Sequence, residues 1–242
     1  MRRDVRIAIA IIAIAAFGGG ADAGLRAVYR DAGKAKQLQI EVQDNGDARI
    51  AEAGSDDYGL LIGGEFYVID VEDGKATVAR LRDIAAAIDK VLPPIFKGLF
   101  DKAAAATPPG RLTVEPAGAG SAGGREGRVY HVKGLDDSEP GKTTDFLISA
   151  DPELKPVGAA LEQFMNAALV PAAPLIGKAA AEMIVQTRTI FALGTPIDVG
   201  GRFRLDSVAK AELPADRFKL PAPAQTVDQL VAAMKASAAK GE

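Results

Sequence analysis

The chain has 242 residues, a formal net charge of −3, 48% hydrophobic residues, one histidine, and neither cysteine nor tryptophan. That length is enough to bury the core of one domain, and the lack of cysteine excludes disulfides, thiolate chemistry and cysteine-ligated metal. No basic run with interleaved aromatics occurs, which argues against nucleic acid as a partner.

The first segment reads as a targeting signal. Arg2, Arg3 and Arg6 form a basic start, Ile7 to Phe17 is an uncharged apolar run, and Ala21-Asp22-Ala23 has the small-x-small form of a cleavage site. The run is too short to span a bilayer, so cleavage after Ala23 is favoured over an uncut anchor, with Gly24 as the mature N-terminus. Arg2-Arg3 leaves general and twin-arginine export both open. Without a cysteine at that position to carry lipid, the expectation is a soluble periplasmic protein and not a lipoprotein. Removing residues 1–23 takes away three arginines and two aspartates and leaves a net charge of about −4, an ordinary solubility charge.

Leu25–Asp31 reads as the first mature strand, interrupted by Ala32-Gly33. Lys36 to Asp44 then alternates strictly, with Leu38, Ile40 and Val42 on one side and Gln37, Gln39, Glu41 and Gln43 on the solvent side. Asn45-Gly46 predicts a type I′ hairpin turn. Asp47–Ala53, Tyr58–Ile62, Glu65–Glu72 and Lys75–Leu81 follow, with Gly63-Gly64 and Asp73-Gly74 between the later strands. The whole stretch predicts a five-strand antiparallel meander with one oily face.

From Asp83 to Ala106 the apolar period becomes helical, through Ile84, Ile88, Val91 and Leu92 and then Ile95, Phe96, Leu99 and Phe100. Pro93-Pro94 divides it into two helices or one kinked one, and Asp83 is the expected N-cap of the first. The part carrying Ile95, Phe96, Leu99 and Phe100 is the oiliest helical stretch of the mature chain. It fits a core helix or a lid over an apolar cavity. Arg111–Glu115 is a short strand, and Pro116 to Gly127, rich in Gly, Ala and Ser, reads as a mobile loop. Its glycines precede a strand and no helix follows, so a phosphate-cradling loop is rejected.

Arg128–Lys133 is a strand holding His131. No further ligand type lies at metal-binding spacing around it, so it is read as a structural or surface histidine. Asp136 to Gly141 is a solvated acidic turn without the ligand spacing of an EF-hand loop. Thr143–Ala150 is a strand. Asp151-Pro152 opens a helix carrying Leu154, Val157, Leu161, Phe164 and Met165. Leu175 to Leu193 starts as a helix, and its β-branched end from Ile184 fits either helix or strand. Ile197–Val199 and Phe203–Leu213 form a final hairpin. A proline-rich extended segment leads to a helix capped by Thr226, with a frayed tail from Ala236.

The succession of "DNGDARI", "GGEFYVIDVEDGKATVARLRD", "TTDFLISADPELKPVGAAL" and "LPADRFKLP" resembles the LolA/LolB-like group of bacterial envelope proteins over most of residues 25–221. The resemblance implies an α+β fold: a strongly curved antiparallel sheet, an incomplete barrel, with helices covering its concave face. It implies one such domain over residues 24–225, followed by a C-terminal helix and tail over 226–242. The well-studied carriers hold acyl chains in that hollow and use an arginine to latch the helical lid, a role that falls here on Arg49. The chain departs from them in having no tryptophan and alanine-rich helices.

The expected function is therefore a monomeric, non-catalytic envelope protein that binds a lipid, a lipoprotein acyl chain or another apolar ligand, with no cofactor. An envelope lipoprotein or membrane protein is the expected partner. Candidate cavity residues are Leu38, Ile40, Leu60, Ile62, Phe66 and Val68 from one sheet face, Ile95, Phe96, Leu99 and Phe100 from the oily helix, and Leu161 and Phe164. The competing reading is a protein-docking or stress-sensing module marked by an apolar patch on the outer face. Hydrolysis ranks below both, because no nucleophile–base pattern is visible.

Overall fold

The computed structural model describes residues 21–33, 36–93, 98, 112–135, 141–169 and 178–240. The N-terminal basic and apolar run, the stretch holding Ile95, Phe96, Leu99 and Phe100, and Asp136 to Pro140 of the acidic turn lie outside them.

The fold is α+β. Eleven strands form one open sheet: β1 (Ala21–Asp31), β2 (Lys36–Gln43), β3 (Ala48–Glu52), β4 (Tyr58–Ile62), β5 (Glu65–Glu72), β6 (Lys75–Arg80), β7 (Thr113–Ala122), β8 (Arg125–Lys133), β9 (Thr143–Ser149), β10 (Thr195–Val199) and β11 (Phe203–Pro214). Their order is β6-β5-β4-β3-β2-β1-β11-β10-β9-β8-β7, and every neighbouring pair is antiparallel. The sheet is thus two meanders, β1–β6 and β7–β11, joined where the first strand pairs with the last. Among the described residues four helices accompany it: α1 (Leu81–Val91), α2 (Lys155–Leu169), α3 (Lys178–Phe191) and α4 (Val227–Lys240).

In the first meander the register runs unbroken from β1 to β6, and alternation sorts its side chains cleanly. One face carries Leu25, Ala27, Tyr29, Leu38, Ile40, Val42, Ala48, Ile50, Leu61 and Phe66. These belong to the main core together with Leu154, Val157, Ala160, Leu161 and Phe164 of α2 and the turn before it. The opposite face is apolar only toward its edge, where Leu60, Ile69 and Val78 are fully or almost fully buried. The extended segment after β11 covers them with Leu220, Ala222 and Ala224. Gln225 N–H also donates to Val78 O at 2.8 Å on the edge strand.

Helix ends follow local chemistry. Asp151 accepts a hydrogen bond from Glu153 N–H at 2.9 Å and Pro152 takes the first helical position, which starts the 3-10 turn Pro152–Leu154 leading into α2. Thr226 and Gln229 cap α4 reciprocally, Thr226 Oγ1 accepting from Gln229 N–H at 3.3 Å and Gln229 Oε1 accepting from Thr226 N–H at 2.8 Å. Helix α4 packs on α1, with Lys90 and Asp228 3.0 Å apart.

Several expectations are corrected. β1 begins at Ala21, so a cut after Ala23 would remove three residues that pair only with β11; the part pairing on both sides starts at Gly24. Pro116–Gly127 is no loop: it is most of a long hairpin, β7 and the start of β8, turned by Gly123-Gly124 at φ 56° and 72°. Helix α1 starts at Leu81, before Asp83, which sits in its first turn and does not cap it. Helix α3 remains helical to Phe191, and α4 runs to Lys240 without fraying at Ala236. Asn45-Gly46 is not a type I′ turn, because Gly46 (φ 88°) has positive φ and Asn45 does not. Gln43 N–H instead bonds Asp47 O at 2.9 Å across a three-residue loop with glycine at its left-handed position.

Candidate functional site

The predicted cavity residues divide between two faces. Leu38, Ile40, Phe66, Leu161 and Phe164 do come together, in the main core under α2. Val68 shares that face of β5 and is 36% exposed. Leu60 and Ile62 are one register step off and lie on the other face, in the cluster sealed by the C-terminal segment. Grouping them with Leu38 and Phe66 is therefore wrong, because the β3–β4 pairing sets Leu60 opposite Arg49 while its neighbour Leu61 sits opposite Ala48.

The half-buried end of the gathered set is built from aromatics. The Phe66 and Phe164 rings meet at 5.7 Å between centroids, tilted by 47°. Phe66 lies over Gly59, where an added Cβ would run into the ring. The missing side chain thus gives the ring its seat on the sheet. Next to these aromatics in sequence two further apolar side chains are exposed, Val68 on β5 and Met165, 46% exposed, on α2. These four partly exposed side chains of β5 and α2 are the candidate apolar ledge.

Four clefts are lined by described residues. The first, about 480 Å³, lies between the start of α2 and the end of α3 and includes Asp151, Lys155, Glu162 and Thr195. None of the four is lined by the gathered apolar residues.

Arg49 does not reach the described helices. It projects from the face opposite α2, with its guanidinium 4.2 Å from the centre of the Tyr58 ring. The oily helix that it was expected to latch lies outside the described residues. Arg49 adjoins a polar centre that sequence reading misses. Glu41, placed on the solvent side by simple alternation, is fully buried. Its Oε1 accepts from Arg26 Nε and Nη2 at 3.1 and 2.9 Å and from Gln39 Nε2 at 2.9 Å. Its Oε2 accepts from Arg217 Nε and Nη2 at 2.9 and 2.7 Å. Register explains half of this, since Arg26 and Arg49 flank Glu41 directly on β1 and β3. Arg217 arrives from the far end of the chain, so local sequence gives no sign of it. Burial lowers the Arg49 pKa, the neighbouring Arg217 charge lowers it further, and Glu41 and Tyr58 oppose them.

His131 Nδ1 lies 2.6 Å from Asp145 Oδ1 on the neighbouring strand, both side chains about half exposed. It is a surface pair, as expected of its strand position. Asp57 and Asp70 form a second acidic contact: burial and then the Asp57 charge raise the Asp70 pKa, while Asp57 caps Val71 N–H at 2.8 Å. Among the described residues no group of three His, Asp or Glu side chains could hold a metal ion, and no helix is long and apolar enough to cross a membrane.

No family model, curated protein or solved structure matches this chain. The chemistry of its own residues therefore carries the functional reading: one apolar ledge under α2, one buried ion cluster on the reverse face, and one exposed histidine–aspartate pair.

Proposed function

We propose that the protein is exported to the periplasm and binds a lipid or another apolar ligand without catalysis, as a carrier-like member of the LolA/LolB-like group. On this reading the open eleven-strand sheet curls into an incomplete barrel and its α2-bearing face is the concave one. The observation that carries the proposal is the ledge itself. Phe66 and Phe164 meet ring to ring while staying partly exposed, and Val68 and Met165, close to them in sequence on β5 and α2, are exposed as well. A soluble chain gains nothing by leaving such side chains exposed unless something covers them, and an acyl chain fits a surface of that chemistry. The competing reading, a docking module on the reverse face, has less support. The apolar residues there are already covered by Leu220, Ala222 and Ala224.

The test is native mass spectrometry, with organic extraction, on protein purified from the periplasm without detergent. A co-purifying lipid near one per protein is expected, with its occupancy reduced in Phe66→Ala and Phe164→Ala. A clean apo mass with no thermal shift on adding acyl-chain lipids overturns the proposal.

A further inference from the structure

We propose that the reverse face carries a phosphate-binding site formed by Arg49, Arg217 and Arg26 around Glu41. It lies across the sheet from the apolar ledge and does not depend on what the ledge binds.

The argument is one of hydrogen-bond capacity and charge. A carboxylate offers about four acceptor positions. Those of Glu41 are taken by the forks of Arg26 and Arg217 and by Gln39. Arg49 stands directly opposite Glu41 in the β2–β3 register, yet among the described residues it donates no hydrogen bond and forms no close ion pair; it rests on the Tyr58 ring and meets the Glu41 charge only through space. Among the described residues three guanidinium groups thus share one carboxylate, which leaves two positive charges uncompensated. Two features make this more than a repulsive accident. The Tyr58 ring holds the Arg49 plane in place, so its donors are pre-organised. Arg26 and Arg217 are locked by their forks but remain partly accessible, with side chains 44% and 38% exposed. An incoming anion would therefore meet fixed donors beside open water.

A phosphate group fits that vacancy in charge. It brings about −1.5 to −2 charges at neutral pH and three acceptor oxygens, against the two uncompensated positive charges. Arginine forks match phosphate oxygens bidentately. The lowered Arg49 pKa agrees with the arrangement, because its largest causes are burial and the Arg217 charge, and a bound anion relieves the second. The group could belong to a free phosphate ester, which offers all three terminal oxygens, or to a diester lipid headgroup, which offers two terminal oxygens and one negative charge to the same donors.

Two binding experiments separate these sources. The first is calorimetric titration of the intact protein with inorganic phosphate and with glycerol 3-phosphate at low salt. The second is co-sedimentation with phosphatidylglycerol vesicles against phosphatidylcholine vesicles. Saturable binding of either soluble phosphate, weakened at least about tenfold by Arg49→Gln, supports the site with a free ester as its source. Binding to the anionic vesicles alone, lost in Arg49→Gln, supports it with the headgroup as source. Arg30→Gln removes the same charge from an arginine already paired with Asp206, and it should leave binding unchanged. Among the described residues Arg49 makes no hydrogen bond or close ion pair, so thermal unfolding of Arg49→Gln should stay within a few degrees of the parent protein. No binding in either experiment, or binding insensitive to Arg49→Gln, or equal loss in Arg30→Gln, overturns the proposal.

Discussion

Tyr29 is the residue on which the centre of the sheet closes. Its ring stacks on Phe203 at 4.7 Å and 5°, and its hydroxyl donates to Pro196 O at 2.9 Å. Three strands, β1, β11 and β10, are tied by one side chain. Burial raises its pKa well above the usual 10. The fold therefore holds the protonated form, whereas the unfolded chain ionises near pH 10. Above that pH the native state binds more protons than the unfolded one, so stability falls as pH rises. We expect Tyr29→Phe to cost about 1 kcal/mol at pH 8 through the lost hydrogen bond. The gap should close, and can reverse, as pH passes 10, because phenylalanine has nothing to ionise. Urea midpoints of both proteins between pH 8 and 11 measure this; a gap constant over that range would refute it. None of it is legible in the sequence. Leu38, Ile40 and Val42 announce an inward face by alternation, but Tyr29 and Glu41 acquire their roles from Pro196, Phe203 and Arg217, far along the chain. Alternation puts Glu41 in water, and only pairing with distant arginines makes its burial tolerable.

At the scale of elements, legibility follows side-chain size. β4 and β5 fall at the residues that alternation and Gly-Gly or Asp-Gly turns predict, because both signals are local. The β7–β8 hairpin is invisible to the same reasoning, since Ala, Gly and Ser carry no hydrophobic period. Two of its glycines mark close packing on β9: a Cβ on Gly127 would lie 2.6 Å from Ile148 O, and one on Gly120 would lie 3.2 Å from Leu147 Cδ1. Composition reads as a loop what close packing requires of a strand. Helix α4 is the opposite case, announced by Thr226 and confirmed by its reciprocal cap with Gln229. Thr226→Ala should cost about 1 kcal/mol and loosen the docking of α4 on α1. Amide exchange should speed up in the first turn of α4, with β1 and β2 unaffected. Uniform acceleration across the sheet would mean that the cap supports the whole fold and not this helix.

For the whole molecule, the decisive fact is that the sheet is open. Its outer strands, β6 and β7, each have one neighbour, and an unpaired edge invites another chain. The two edges are blunted differently. β6 runs directly into α1 and receives Gln225 N–H on Val78 O, so part of its edge is occupied. Among the described residues β7 has no such cover. It carries Pro116, which has no N–H to offer, and its register with β8 breaks between Pro116 and Gly118. A proline and a bulge on an exposed strand are what keep such an edge from templating. Restoring the donor should expose the liability: Pro116→Val is expected to form concentration-dependent dimers or larger species by analytical ultracentrifugation, while the parent sediments unchanged over the same range. The bulge alone would then be too weak a barrier. Identical sedimentation of the two proteins would place the protection elsewhere, in the acidic Glu115 beside it or in the twist of the hairpin. It would also remove Pro116 from the account of how an eleven-strand sheet stays open without growing.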